Sequence, residues 1–256
     1  MSQIFTATAE SVWVAAGVFT RVAGALFFVP GFGERGVPMR VKLAGAVALT
    51  WLLAPLIAPL VPQTPQEPIG LFLMLGAEAA AGLLIGFGFR LIIFTLQIAG
   101  TIAAQNLTIS HMFGVGVAQE PEPTLATFLS YGGIAIALIA GLHVELVAAL
   151  AGLYGLLPFG AFLSGPELAE WGTARLAQVF SLGLSLALPF VAIGFLYNIM
   201  LGALSRAMPQ VLITLVGVPL LVGLGIATLW LVLPELFFRW SEVMDAVFLD
   251  PLWDTL

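Results

Sequence analysis

Long apolar stretches recur from one end of this 256-residue chain to the other, at about 12–29, 41–61, 69–89, 91–109, 125–142, 144–157, 176–200 and 210–233. Several approach the ~20 residues that a helix needs to cross a bilayer; 144–157 is shorter. Only 9% of residues are charged and 61% are hydrophobic, with a mean hydropathy of +1.10. Soluble domains carry about a quarter charged residues. A water-soluble monomer with this pattern could not cover its own surface, so an all-α membrane protein is expected. The 28 glycines and 16 prolines exceed what plain spanning helices need. Glycine permits close helix–helix approach and proline bends helices, so kinked helical hairpins packed into protein are the expected form.

Several function classes fall away early. A net charge of −6 with no polybasic stretch argues against nucleic acid. With no cysteine, disulfides, thiolate metal sites and cysteine nucleophiles are excluded. His111 and His143 are far apart and form no HExxH-type cluster, and no P-loop or GxSxG elbow is present. Each histidine reads best as a hydrogen-bonded structural residue. No enzyme and no cofactor is expected. Residues 1–11 hold no Lys or Arg and no A-x-A site follows the first apolar run, so that run is expected to be retained.

Short polar breaks between the runs predict antiparallel hairpins. Arg35, Arg40 and Lys42 in the first break suggest a cytoplasmic loop there. Simple alternation then puts Arg90 and Arg206 on the same side, with Arg175 and Arg239 as exceptions. The most polar interval, 158–175, marks a division into parts 1–165 and 166–256. Near the C-terminus, Leu236, Phe237, Trp240, Val243, Met244, Val247 and Phe248 share one helical face, opposite Arg239, Glu242 and Asp245. That polar face is mildly acidic, so docking on a protein neighbour is expected rather than on anionic lipid.

Charges inside apolar runs carry either function or packing. Arg21, Glu78, Arg90, Glu145 and Arg206 sit within or beside such runs, where an unpaired charge costs about 2.5–3.5 kcal/mol. One reading makes them a proton or ion relay, the other ion pairs that fix packing; the lack of an acidic cluster on any helix favours packing. Gly82 and Gly86 share a helix face and invite another backbone. In segment 105–123, QNLTISHMFGVGVAQEPEP, paired glycines and two prolines predict a structured non-helical loop. Locally it reads more readily as an external loop than as a pore-side element.

Five blocks in colinear order resemble the FliR family, the flagellar member of the type III secretion export gate, whose injectisome counterpart is the SctT family. They are Arg21–Lys42 (RVAGALFFVPGFGERGVPMRVK), Glu78–Phe87 (EAAAGLLIGF), Gln97–Gln105 (QIAGTIAAQ), Gly141–His143 with Pro158 and Gly160, and Gly202–Pro219 (GALSRAMPQVLITLVGVP). The chain departs from the family pattern at Asn106, Leu212 and Thr214. The resemblance implies a FliP-like part, 1–165, followed by a FliQ-like C-terminal hairpin, 166–256. It implies a structural and gating subunit of the flagellar protein-export channel in the bacterial inner membrane, at the flagellar basal body. Expected partners are FliP-like and FliQ-like subunits, FlhB-like and FlhA-like proteins, unfolded secreted substrates and membrane lipid. By the same resemblance 110–121 becomes a plug, with Met112, Phe113, Gly114 and Gly116 filling the closed channel. Arg21, Glu78, Gly82, Gly86, Arg206 and Pro209 become candidate packing or assembly residues. A small-molecule or ion permease is the competing reading, although the internal repeats expected of one are not detected.

Overall fold

The computed structural model describes residues 2–65, 67–106, 124–207 and 213–249. They form seven α-helices: α1 (Ser2–Phe28), α2 (Met39–Ile57), α3 (Pro68–Asn106), α4 (Thr124–Ala140), α5 (Leu142–Leu156), α6 (Gly165–Ala207) and α7 (Ile213–Leu249). A 3₁₀ turn, Ala58–Leu60, follows α2. Five stretches are long and apolar enough to cross a membrane, and α4 with α5 forms a further, bent candidate.

Punctuation by proline and glycine explains most helix limits. Pro38 precedes α2 in an extended conformation, and Pro68 opens α3, where its missing N–H costs nothing. Between α4 and α5 the chain bends by 71° at Gly141, whose φ of 102° suits glycine alone. Helix α6 starts on a capping box. Ser164 donates from N and Oγ to the Glu167 carboxylate at 3.0 and 2.7 Å, and its Oγ accepts from Glu167 N.

Three expectations are corrected. Run 69–89 and the described part of run 91–109 form one 39-residue helix, α3, rather than two arms of a hairpin. Arg90 does not break it, because Glu34 in the α1–α2 loop pairs with the guanidinium. The alternation of charges across the membrane therefore fails beyond Arg90. The described part of run 210–233 and the amphipathic segment 235–248 likewise merge into α7. That segment's apolar face is covered by this chain itself, since Leu236, Trp240, Met244 and Val247 are all buried.

The chain divides into two compact units. The first comprises Met1–Leu91, Ala137–Ala174 and Asp245–Leu256, with α1 packed on α2. Its core holds Val18, Val22, Ala25 and Leu26 of α1, Ala77, Ala81 and Ile85 of α3, and Leu146, Leu150 and Leu153 of α5. The second comprises Ile92–Ile136 and Arg175–Met244. There Ile92, Leu96, Leu129, Phe190 and Trp240 are buried. Of the apolar stretch of α3, 67% is buried, against 22% for that of α2, so α3 is the helix each core is built on.

Candidate functional site

The first unit is organised around a charge that apolar surroundings would reject unless it were paired. Arg21 on α1 and Glu78 on α3 are 1% and 0% exposed. Arg21 Nε donates to Glu78 Oε2 at 2.8 Å and Nη2 donates to Oε1 at 2.9 Å, a two-pronged pair. Such fork-to-carboxylate pairing is the strongest side-chain hydrogen bonding available to an arginine.

Two further donors complete the carboxylate. Tyr154 OH on α5 donates to Oε2 at 3.0 Å, and Gly160 N donates to Oε1 at 2.9 Å. Arg21 Nη2 also donates to Leu157 O at 3.2 Å, and its guanidinium carbon sits 3.6 Å from the Tyr154 ring centroid. Tyr154 thus serves both charges, its hydroxyl the anion and its ring face the cation. The cluster ties α1, α3 and α5 to the 157–160 link. Gly160 can present its N–H there because it takes φ 76°.

Phe159 fixes the same link by shape. It is 6% exposed, its ring meets Trp13 edge-on at 5.7 Å, and it stacks with Tyr154 at 6.5 Å. A side chain at Gly17 would collide with the Phe159 ring, so the glycine is the socket for that ring.

Helices α1 and α3 meet backbone to backbone beside the ion pair. A Cβ at Gly82 would fall on the Arg21 carbonyl, and one at Gly86 on the Ala25 carbonyl. In the other direction, a Cβ at Gly24 would lie 2.8 Å from Ala79 O. The neighbour of the glycine face is thus α1 of the same chain. Arg206 lies exposed in the last turn of α6. Glu145 is half-buried in the first turn of α5, and His143 is exposed. Pro209, His111 and the candidate plug residues Met112, Phe113, Gly114 and Gly116 lie outside the described residues.

Sequence reasoning singled out Arg21 and Glu78 but missed what completes them. Tyr154, Leu157 O, Gly160 N and the Arg90–Glu34 pair went unread. A tyrosine inside an apolar run was the available signal for the first; the backbone groups left none.

The comparisons bear on what this arrangement belongs to. A family model described as bacterial export proteins, family 1, matches residues 12–247. The chain belongs to that family. It is similar to the flagellar biosynthetic protein FliR of Caulobacter vibrioides, at 34% identity over 92% of this chain and 94% of that protein. It is also similar to FliR of Pectobacterium carotovorum, 30% identical over 89% of the chain and 88% of the relative. FliR of Escherichia coli is 29% identical over 84% and 82%. Residues 12–247 take in the whole Arg21–Glu78 cluster, so the buried pair lies inside the part of the chain shared with the export-protein family.

Proposed function

We propose that this chain is a structural and gating subunit of the flagellar protein-export channel, held in the bacterial inner membrane at the flagellar basal body. Its family and the FliR names of its relatives support this reading, and the permease alternative is not carried forward. The role is non-enzymatic: the chain lines and closes a path for unfolded secreted proteins.

One observation supports working inside an assembly. Helix α6 exposes Leu168, Leu176, Phe180, Leu184, Leu188, Phe195, Leu196, Ile199 and Met200. From Leu168 to Met200 that is ~48 Å of helix path at ~1.5 Å per residue. The hydrocarbon core is only ~30 Å thick, and a tilt of ~40° still leaves ~37 Å to cover. This excess over the hydrocarbon core favours protein neighbours along α6. FliP-like and FliQ-like subunits are the proposed neighbours, with FlhB-like and FlhA-like proteins beyond them. Within the chain, 1–165 is proposed as the FliP-like part and 166–256 as the FliQ-like hairpin, a division that falls at the capping box opening α6.

The test is solubility in company. Expressed alone, the chain is expected to aggregate in mild detergent; co-expressed with FliP-like and FliQ-like proteins, it is expected to elute as one complex. A monodisperse, heat-resistant monomer from solo expression would sink the assembly reading. The gating part is tested separately by deleting 111–117, which removes Met112, Phe113, Gly114 and Gly116. Ion leak with normal complex abundance is expected; wild-type permeability would return 110–121 to an ordinary loop.

A further inference from the structure

Helix α6 buries one face, Gly183, Ala187, Phe190, Gly194 and Tyr197, and its two glycines meet the second half of α3. A Cβ at Gly183 would lie 2.9 Å from Ile98 Cβ and 3.1 Å from Thr95 O. One at Gly194 would lie 2.9 Å from Asn106 O and 3.2 Å from Asn106 Cβ. The glycines are about three turns apart at 3.6 residues per turn, so they share a side of the helix. They fix two points of the contact, the second at the last residue of α3.

That end of α3 is held from other directions too. Asn106 Nδ2 donates back to Ile102 O at 2.8 Å. A Cβ at Gly100 would strike Ala126 N and Cα in the first turn of α4. Gly100 stands only ~9 Å of helix before Asn106, so α3 holds both the point where the chain leaves it and the point where α4 begins. In the sequence, 110–121 lies between those two points.

The outer side of α6, with Leu184, Leu188, Phe195, Leu196 and Ile199, is open to neighbours. Pro189 lies between the two glycines. With no N–H it cannot close the rung to Ser185 O, so α6 has a place to bend there. The Gly194 contact can shift while the Gly183 contact stays.

We infer that Gly194 is a positioning residue for gating, with Asn106 as its counterpart, an assignment that rests on the gating role proposed for 110–121. A hydrogen in place of a side chain lets the α6 backbone seat the last residue of α3. The root of the gate then moves with α6, and with the neighbour that covers its outer side. A side chain at 194 pushes that root away and leaves the gate misplaced in an assembled complex.

The test reads ion leak and complex abundance together in cells carrying the full complex. Gly194→Ala is expected to raise leak by about fivefold or more, the lower end of ordinary coupling between sites. Gly183→Ala meets an equally close neighbour far from the root, so it is expected to lower abundance to a similar degree and leave leak at wild type. Asn106→Leu keeps the branched shape, removes the side-chain donor and adds no bulk at 194; it is expected to leak as well, and it decides the matter alone if Gly194→Ala does not assemble. Equal leak from Gly183→Ala and Gly194→Ala would reduce the contact to general packing. Wild-type leak from Gly194→Ala and Asn106→Leu at normal abundance would overturn the assignment, while leak on deleting 111–117 would leave the gate itself standing. No leak from that deletion removes the gate and the assignment together.

Discussion

The two compact units solve the same problem with opposite chemistry. The first places a full ion pair in its core, and every oxygen of Glu78 is occupied by two donors. The second unit buries the cation Arg175, which donates to Gln178 Oε1 at 2.8 Å, but the contacts around Trp240 are neutral. Trp240 Nε1 donates to Ile92 O at 2.9 Å, and small residues let the helices close around it. A Cβ at Gly133 would strike Leu96, one at Gly100 would strike Ala126, and one at Gly183 would lie 2.9 Å from Ile98. A neutral core can be repacked by other apolar residues of similar volume at modest cost. A buried ion pair cannot, because either partner alone is a stranded charge. The first unit is therefore the more specific of the two, though not by that fact the more stable, since desolvation offsets much of the attraction.

Substitutions separate the two designs. The largest loss is expected from Glu78→Gln, which keeps the shape but leaves Arg21 buried without its counter-charge; breaking such a pair costs about 3–5 kcal/mol. Replacing both partners, Arg21→Met with Glu78→Leu, removes both charges but leaves Tyr154 OH and Gly160 N without their acceptor, so only part of the loss is expected to return. Thermal melts of detergent-purified complex follow both, and a silent Glu78→Gln would show that the first unit is not built on the pair. Next come Gly82→Ala and Gly86→Ala. The new methyl meets a backbone carbonyl rather than a movable side chain, so even alanine is expected to cost at least the ~1–3 kcal/mol of overpacking. Full tolerance of alanine at both positions, read as unchanged complex yield and melting, would contradict the close approach of α1 and α3.

In the second unit the effects shrink. Trp240→Phe removes one donor, but Ile92 O keeps the Thr95 hydroxyl at 2.6 Å. A loss of about 1 kcal/mol is expected, the net worth of a neutral hydrogen bond. A loss as large as that of Glu78→Gln would erase the contrast between the units. The smallest effect is expected from Arg239→Gln. Its partner Glu235 is one turn away and both are mostly exposed, so the change is no more than about 0.5 kcal/mol. Chemical denaturation in detergent would resolve the order of the two.

Legibility followed the range of the interactions. Apolar runs and a single apolar face are local patterns, so the all-helical character and the Leu236–Trp240–Met244 face could be read directly. That the face closes on Ile92, 148 residues away, could not. Likewise Arg21 and Glu78 announced themselves as charges in apolar runs, but nothing local says that residues 57 apart will meet. The false break at Arg90 has the same origin. Alone, an arginine between two apolar runs reads as a boundary; paired with Glu34, 56 residues earlier, it is an ordinary mid-helix residue. Gly82 and Gly86 were legible as a contact face, while their partner was not, because many apolar helices would offer a suitable backbone.

The spacing of the buried cluster along the chain also sets a timetable for its making. At roughly 5–20 residues per second, Arg21 leaves the ribosome about 3–11 s before Glu78, its partner 57 residues on. Tyr154 follows Glu78 by 76 residues, roughly another 4–15 s. Throughout the first interval α1 carries a lone cation whose place in bare hydrocarbon costs about 2.5–3.5 kcal/mol. Helix α1 must therefore wait where water or protein can still reach Arg21, and it settles only when α3 arrives with the carboxylate. On this timetable the first helix is expected to be among the last to be sealed.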